Sequence, residues 1–301
     1  MVLALVLDWW LAEPRRWHPL VGFGTGAQWL ERRLRAPTEC PRAGRQRLCG
    51  TLAMALAVLP PVALFAALCR IPTMGTVVGV GVLYAVIGHR SLHDHAGAVQ
   101  QALGRDNLPE ARQRVALMVS RDTADMSAAR IAGAAAESVL ENGNDALFGA
   151  LFWFLVAGAP GALLYRLVNT LDAMWGYRTP QYRYFGWAAA RCDDLLNLLP
   201  ARLTALTYAL TGRFRAALRC WRQQGPLWDS PNAGPVMAAG AGALRVRLGG
   251  GAFYHGQWRV RPELGEGAEP ETVDITRALR LVQRSLLMWI AAVGVGTFLS
   301  G

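Results

Sequence analysis

The segment LCGTLAMALAVLPPVALFAALC, residues 48–69, decides the class of fold. It carries no charged side chain. As a helix that rises about 1.5 Å per residue, it is long enough to cross the ~30 Å hydrocarbon core of a bilayer. Pro60 and Pro61 should kink this helix, because proline removes a backbone donor and clashes with the preceding turn. The segment therefore predicts a kinked membrane-spanning helix.

Three further apolar runs accompany it, at residues 71–88, 146–168 and 285–300. Glycines in the first suit close helix packing in lipid. In the second, GAPG at 158–161 either kinks one spanning helix or turns two half-helices into a re-entrant hairpin. The third is a marginal span, which we expect to tilt or to pack against its neighbours. The chain thus resembles a polytopic membrane protein.

Composition and charge support this class. Hydrophobic residues make up 53% of the chain and charged residues only 17%, and the net charge of +10 comes from arginine without any lysine. The arginines flank apolar runs, as the positive-inside bias of bacterial membrane proteins requires. Six of them lie between residues 32 and 47, directly before the first run, namely Arg32, Arg33, Arg35, Arg42, Arg45 and Arg47. We therefore expect a lipid bilayer, and not a nucleic acid, as the partner of the basic segments.

Two sequence features argue against a cleaved signal peptide and against stabilisation by zinc or disulfides. The five cysteines form no CxxC pair, so neither a structural zinc site nor a disulfide framework is expected. The first residues, MVLALVLDWWLAEP, lack a basic start and a small-residue cleavage pattern, and Asp8 interrupts their apolar part. We expect this segment to be retained.

The segments between the apolar runs predict the remaining elements. Residues 89–145 indicate two or three amphipathic helices, and residues 191–212 one helix kinked at Pro200. Residues 244–260 alternate and turn at glycines, which indicates a small β-hairpin. The predicted fold class is all-α: a polytopic helical membrane protein with amphipathic or cytoplasmic helices and one small β-hairpin. We expect a single integral-membrane domain over 1–301, made of stretches 1–88, 89–212, 213–284 and 285–301.

Glu137 and Glu141 stand one helical turn apart. Like charges at this spacing repel by a few tenths of a kcal/mol unless a cation lies between them. Either Arg121 or Arg130 neutralises the pair, or Mg²⁺ binds it together with a substrate phosphate, since that ion favours one or two carboxylates plus phosphate oxygens.

The run RCDDLLN, residues 191–197, repeats this theme. Asp193 and Asn197 share a helical face, and Asp194 lies about 100° away from Asp193. These carboxylates either form salt bridges with flanking arginines or serve a site. Charged side chains beside apolar runs cost free energy, so they usually have a function there. We therefore favour a functional site, which also includes Asp172.

Two segments indicate phosphate binding. In SPNAG, residues 230–234, Ser230 is predicted as a helix N-cap with Pro231 at the first helical position. Unpaired N–H groups and the helix dipole at such a start attract phosphate. In RDT, residues 121–123, Asp122 or Thr123 is predicted to begin a helix, with Arg121 placed to meet an anion.

Polar residues also crowd into NTLDAMWGYR, residues 169–178, directly after an apolar run. Together with DWWLAEP (8–14), RSLHDHA (90–96), SRDT (120–123), ESVLEN (137–142), APGALLYRLV (159–168), YRYFGWAAARCDDLLNLLPARLTAL (182–206), SPNAG and GALRVRLGGGAFYHG (242–256), this stretch resembles the CobD/CbiB family of adenosylcobinamide-phosphate synthases. The resemblance covers most of the chain.

The resemblance implies ATP-dependent amide formation in cobalamin (vitamin B12) biosynthesis, joining aminopropanol or its O-phosphate to adenosylcobyric acid. Mg²⁺ and ATP are the implied cofactor and co-substrate. The implied location is the bacterial inner membrane, crossed several times. Further copies of the chain or other membrane enzymes of the corrinoid pathway are the implied protein partners. The alternative is a non-catalytic membrane paralogue that acts as a carrier or sensor.

The candidate site residues fall into three groups. The predicted catalytic residues are Glu137, Asp172, Arg178, Asp193 and Asp194. The predicted metal ligands are Glu137, Glu141, Asp193 and Asp194. The predicted substrate- or phosphate-binding residues are Arg121, Asp122, Thr123, Asn169, Thr170, Tyr177, Arg183, Arg191, Asn197, Arg202, Ser230 and Asn232. We expect Glu137, Asp172 and Asp193 to converge in one compartment.

The chain departs from the family pattern at a few positions. Glu13 replaces an expected aspartate, and Ser120 precedes RDT where glycine is expected. Met237 occupies the place of an expected glutamate after SPNAG. That last departure removes a candidate ligand beside the predicted phosphate site.

The positive-inside bias predicts that residues 31–47 and 213–222 both face the cytoplasm. Reporter fusions that end in each segment should report a cytoplasmic location, which is also the side that supplies ATP. A periplasmic signal from either fusion would overturn this topology.

Overall fold

The computed structural model describes residues 1–12, 18–35, 43–72, 74–254 and 256–300. Glu13, Arg42 and His255, where the sequence predicts the second turn of the 244–260 segment, lie outside the described residues. The chain is 76% helical with a few small antiparallel strands, as predicted. The elements are α1 Val2–Leu11, α2 Pro19–Leu34, α3 Ala43–Cys69, α4 Gly75–Val86, α5 His89–Gly104, α6 Leu108–Ala116, α7 Ala128–Gly143, a π-helical turn Asn144–Phe148, α8 Gly149–Trp175, α9 Trp187–Leu196, α10 Leu198–Thr211, α11 Phe214–Gln224, a 3₁₀ turn Gly225–Leu227, α12 Ala233–Leu244, β1 Leu248–Gly249, β2 Ala252–Tyr254, β3 Gln257–Arg259, β4 Glu263–Leu264 and α13 Thr272–Ser300.

The chain forms two compact units, each built from two separate stretches. Unit 1 contains Met1–His89 and Asp145–Asn197, and unit 2 contains Arg90–Asn144 and Leu198–Gly301. These bounds differ from the four predicted stretches. The expectation of a single integral-membrane domain stays a prediction.

Four helical stretches in the described residues are long and apolar enough to cross a membrane: Ala43–Cys69, Gly75–Gly104, Ala128–Trp175 and Thr272–Leu299. They contain the four predicted apolar runs almost completely. The α3 helix leaves a stripe of leucines exposed along its length, formed by Leu48, Leu52, Leu56 and Leu59. A water-exposed helix would place polar residues on that face. The structure thus fits a membrane protein.

The GAPG segment reverses the direction of the chain within α8. Ala157 (φ −133°, ψ 16°) and Gly158 (φ 66°, ψ −160°) are not helical. Positive φ at Gly158 is a conformation that glycine adopts without the steric penalty of a Cβ. Pro160 follows, and its missing N–H and fixed φ suit the first turn of a new helix.

Side-chain contacts establish the reversal. A Cβ added at Gly149 would overlap the ring of Tyr165, and one added at Gly161 would crowd the carbonyl of Trp153. In a straight helix, residues 149 and 165 would stand about 24 Å apart. The Arg166 guanidinium also donates to the Asp145 carbonyl (3.2 Å). Residues 149–156 and 159–175 are therefore the arms of a helical hairpin, the second of the two predicted alternatives.

The prediction of one helix over 191–212 is wrong, because α9 ends at Leu196 and α10 begins at Leu198. Pro200 lacks the N–H that would bond the Leu196 carbonyl in a continuous helix. That carbonyl accepts the indole N–H of Trp153 instead (3.0 Å). The break thus lies at Asn197, and Pro200 occupies the first turn of α10.

Unit 2 packs α7, α10, α12 and α13 together, with α11 against α12. Close approach is possible because the facing residues are small: a Cβ on Gly240 would meet Leu140, and one on Gly242 would meet the backbone of Ala216 and Ala217. Three helices occupy residues 89–145, as predicted.

The predicted hairpin is confirmed as β2 paired with β3, with Ala252 opposite Arg259. A second pair, which joins β1 to β4 with Leu248 opposite Leu264, was not predicted. Its second strand lies beyond the stretch in which alternation was recognised.

The hairpin predicts a specific sensitivity at Gly149. Gly149→Leu should destabilise the protein by about 1–3 kcal/mol, because the added side chain must displace the Tyr165 ring. The apparent unfolding midpoint of detergent-purified protein measures the effect. Gly81→Leu is the matched control, since a Cβ at exposed Gly81 meets nothing within 4 Å. Equal midpoints for the two variants would contradict the hairpin.

Candidate functional site

Asp193 of α9 is held by two neutral amides in unit 1. The Asn169 side chain donates to Oδ1 (3.1 Å) and the Asn197 side chain donates to Oδ2 (3.1 Å). Asn169 lies on the second arm of the hairpin, and Asn197 stands one turn after Asp193. Both carboxylate oxygens are thus fixed by uncharged donors.

A second layer of hydrogen bonds orients the two asparagines. The Tyr165 hydroxyl donates to Asn197 Oδ1 (2.9 Å) inside the core. The Arg166 guanidinium donates to Asn169 Oδ1 (3.3 Å). These bonds fix which end of each amide faces Asp193, so the two N–H donors point at its carboxylate. The hairpin and α9 together preorganise this group.

Several carboxylates lie close to Asp193. Burial, and next the negative charge of Asp145, raise the pKa of Asp193 to about 7, although hydrogen bonds from the two asparagines lower it. Asp172, which is half-buried, lies within electrostatic range of Asp193 and Asp194. Neighbouring carboxylates of this kind favour a cation, because it stabilises their ionised forms. The arrangement suits a divalent metal ion or a substrate ammonium group.

The surrounding polar residues lie at the surface of unit 1. Arg191 donates to Asp194 (3.1 Å), and its side chain is largely exposed. Tyr177, Arg178 and Arg183 are exposed as well. Thr170 donates to the Arg166 carbonyl (2.8 Å), which is a helix-internal bond. The structure therefore brings Asn169, Asp172, Asp193, Asp194 and Asn197 together.

Glu137 of α7 belongs to unit 2 and has a different environment. The guanidinium groups of Arg121 and Arg261 (2.8 Å) both donate to its Oε2, and the Gly249 N–H donates to Oε1 (2.7 Å). Glu137 is buried. The sequence left open whether arginine or magnesium neutralises this carboxylate. The structure shows that arginine side chains neutralise Glu137. Its convergence with Asp172 and Asp193 stays a prediction.

The RDT segment does not begin a helix, so that prediction is wrong. The Asp122 carboxylate accepts the Gly256 N–H (2.7 Å), and its own N–H donates to the Phe253 carbonyl (2.9 Å). These bonds attach the segment to the β2–β3 hairpin. The next helix begins at Ala128, where Ser127 is the N-cap.

The SPNAG helix starts later than predicted, at Ala233. The Ser230 hydroxyl accepts the N–H groups of Asn232 (3.3 Å) and Ala233 (3.2 Å), so it caps the turn that leads into the helix. Gly234 and Val236 donate to backbone carbonyls, and Pro235 has no N–H. This first turn therefore offers a phosphate no unpaired backbone N–H.

Two further predicted residues of unit 2 pair with each other. The Arg202 guanidinium donates to the Asn232 side-chain oxygen and to the Leu198 carbonyl (3.2 Å). Met237 is buried within α12. Substrate binding by Ser230, Asn232 and Arg202 stays a prediction.

Several residues of these clusters were not selected from the sequence. Tyr165 and Arg166 are the polar members of an otherwise apolar run. Polar residues in such a run usually have a function, so their position could have indicated the site. Asp145 differs from these, because the sequence indicated it, with Asn142 and Asn144, as a source of oxygens near Glu137 and Glu141; its closeness to Asp193 follows from the return of the hairpin. Arg261 and Gly249 meet Glu137 from more than one hundred positions away, which no local spacing indicates.

The donor set at Asp193 fits magnesium in type, since that ion binds carboxylate oxygens and completes its shell with water and phosphate. Within the described ranges, no three His, Cys, Asp or Glu side chains stand close enough to hold a metal ion by themselves. A metal held jointly with a substrate phosphate requires fewer protein ligands. The magnesium ligands Glu137, Glu141, Asp193 and Asp194 stay predictions.

Glu137→Gln distinguishes a structural role from a metal role. Removing its charge leaves two part-buried guanidinium groups without their partner, so we expect a loss of about 3–5 kcal/mol of stability. Limited proteolysis should then cleave faster between residues 246 and 268. Glu110→Gln is the control, because the Glu110–Arg114 pair (3.3 Å) is exposed. Unchanged proteolysis of Glu137→Gln would mean that the arginine pairs are dispensable.

Comparison with known proteins identifies the family. The sequence profile of the family described as CobD/Cbib protein matches residues 1–282. Proteins named Cobalamin biosynthesis protein CobD are 57% identical in Chromobacterium violaceum, over 96% of this chain and 93% of that protein, and 57% identical in Stutzerimonas stutzeri, over 98% and 96%. The protein of that name from Mycobacterium tuberculosis is 38% identical over 93% of this chain and 90% of its own length. No solved structure matches the chain significantly. The chain therefore belongs to the CobD/CbiB family.

Proposed function

We propose that this protein forms an amide bond between a propionate carboxylate of adenosylcobyric acid and the amine of aminopropanol or its O-phosphate, with ATP consumed. The family and the names of the relatives support a role in cobalamin biosynthesis. The observation that carries the finer proposal is the Asp193 carboxylate, fixed on both oxygens by neutral amides beside other carboxylates.

The reaction requires activation of an unreactive carboxylate. A propionate oxygen attacks the terminal phosphorus of ATP, so that an acyl phosphate forms and ADP leaves. The amine nitrogen then attacks the acyl carbon, the amide C–N bond forms, and the C–O bond to phosphate breaks. The starting ammonium group loses two protons, one of which ends on phosphate and the other in solvent. Positioning and charge stabilisation supply most of the catalysis in such transfers.

The residues of unit 1 suit these tasks. The amides of Asn169 and Asn197 hold Asp193 in one orientation, which removes the cost of ordering it when substrate binds. The nearness of Asp172 to Asp193 and Asp194 supports a role for it in orienting the cationic amine before the amine loses its protons. The exposed guanidinium groups of Arg178, Arg183 and Arg191 match the planar oxygen pairs of phosphate or propionate.

Magnesium would be held by Asp193 and Asp194 together with substrate phosphate. When bound, it neutralises the negative oxygens of the phosphoryl group. Glu137 is a weaker ligand candidate, because two guanidinium groups already share its charge.

A membrane carrier or sensor without chemistry of its own is the competing function. A carrier lines a path through its spanning helices with polar groups. In unit 1, the polar residues concentrate instead at the C-terminal end of the hairpin's second arm and on α9. That concentration favours an enzyme.

Asp193→Asn tests the proposal. Full-length protein in lipid nanodiscs would receive adenosylcobyric acid, ATP, magnesium and aminopropanol phosphate, and mass spectrometry would detect the amide. The variant should lose at least 100-fold in rate, the order expected when one preorganised charged group is removed. Its unfolding midpoint should stay close to that of the parent.

Asp106→Asn is the matched control, because Asp106 is exposed and its positive φ suits asparagine equally well. It should keep full activity. A parent protein that forms no amide under these conditions would refute the proposed reaction. Full activity of Asp193→Asn would refute only the site.

A further inference from the structure

The α10 helix of unit 2 has an inverted distribution of side chains. Its outer face consists of exposed leucines, namely Leu199, Leu203, Leu206 and Leu210. Its inner face carries the small and hydroxyl-bearing residues Ala201, Thr204, Ala205, Thr207, Tyr208 and Ala209, which are buried. A helix at a water surface shows the opposite arrangement. Small and hydroxyl residues at helix contacts, with leucine outside, are typical of helices in lipid.

The inward polar groups of α10 are all satisfied inside unit 2. Thr204 donates to the Asn144 side chain (2.9 Å), and Tyr208 donates to the Leu140 carbonyl (3.0 Å). Thr207 donates to the Leu203 carbonyl and accepts the Trp289 indole N–H (3.0 Å). Such internal pairing is required where no water can reach.

The α10 helix lies alongside the apolar half of α13. Thr207 contacts Trp289, and Thr211 shares a hydrogen bond with Ser285 (2.9 Å). Four residues back along α10 thus correspond to four residues forward along α13, so the helices are antiparallel and in register. The neighbouring part of α13 begins at Ser285, carries no charged residue, and exposes Leu287, Val295 and Phe298.

Residues 203–212 and 285–300 carry no charged side chain, and both segments become arginine-rich beyond the Thr211–Ser285 bond. Arg202, within the first turns of α10, is paired inside unit 2, where its guanidinium donates to the Leu198 carbonyl and to Asn232 Oδ1. Beyond Ser285 towards its N-terminus, α13 carries Arg284, Arg280 and Arg277. Beyond Thr211, the chain carries Arg213 and Arg215, which are exposed. The Thr211–Ser285 bond therefore marks a boundary between the uncharged stretches 203–212 and 285–300 and an arginine-rich zone. Arginine at such a boundary pairs with anionic lipid phosphates.

We propose that α10 is embedded in the bilayer beside α13, with its leucine face against lipid acyl chains and with Arg213 and Arg215 at the level of the headgroup phosphates. Fourteen residues reach about 21 Å, so α10 enters the ~30 Å hydrocarbon core without crossing it. It is a membrane element in addition to the four long apolar helices.

The proposal is independent of the reaction. It depends on continuity between the leucine face and α13, and on the shared charge boundary. The exposed face of α6, also in unit 2, shows the contrast, since it carries Glu110 and Arg114 in an exposed ion pair. The α6 surface suits water, whereas the α10 surface suits hydrocarbon.

Photolabelling of the unmodified chain tests the proposal. Full-length protein would be placed in bilayers that contain phosphatidylglycerol and a lipid with a diazirine near the end of one acyl chain. Trypsin cuts after Arg202 and Arg213, which isolates peptide 203–213, and after Arg114 and Arg121, which isolates peptide 115–121. Peptide 285–301 is the positive control. Peptide 115–121, with the exposed Leu117, is the matched negative control.

We expect lipid adducts on peptides 203–213 and 285–301 and none on 115–121. Labelling of 285–301 without 203–213 would overturn the proposal, and so would equal labelling of 203–213 and 115–121. Nitroxides at positions 206 and 215 provide a second measurement. Oxygen should relax the first more strongly and a water-soluble nickel chelate the second. A nitroxide at 206 that neither reagent reaches would indicate a second copy of the chain on this face and would also refute lipid contact.

Discussion

The reversal of the chain at Ala157 and Gly158 is the constraint on which unit 1 depends. A straight helix would carry Tyr165, Arg166 and Asn169 away from Asp145, whereas the hairpin returns them to it. Gly149 then admits the Tyr165 ring, and Tyr165 in turn orients Asn197. The group around Asp193 is therefore a consequence of backbone geometry at two glycines as much as of the carboxylates themselves.

Two carboxylates of this chain, the buried Glu137 and the half-buried Asp193, have contrasting environments. Glu137 receives two guanidinium groups and a backbone N–H, so its charge is compensated and the small strands are anchored. Asp193 receives two side-chain amides, which fix its geometry and carry no charge.

The sequence predicted the elements that depend on local pattern. The long apolar runs, the helices of residues 89–145 and the β2–β3 hairpin follow from hydropathy and alternation. GAPG was recognised as a breaking point, but only the fit of Tyr165 against Gly149 decides between kink and hairpin. Long-range pairing explains the errors: the Phe253 carbonyl and Gly256 N–H hold Asp122 away from a helix, and Trp153 stabilises the break after Leu196. Asp193 and Asn197 were found because they share one turn, whereas the Arg261–Glu137 pair has no local signature.

Intramolecular cross-linking tests the hairpin most directly. A Gly149→Cys, Tyr165→Cys double variant in native membranes would be treated with a short bismaleimide, and mass spectrometry would identify the joined peptides. Removing the tyrosine ring makes room for the new side chain at position 149. The hairpin predicts efficient cross-linking within one chain. Absence of the cross-link, with both cysteines reactive towards a monofunctional maleimide, would mean that the positions stand apart, as the ~24 Å of a straight helix would place them.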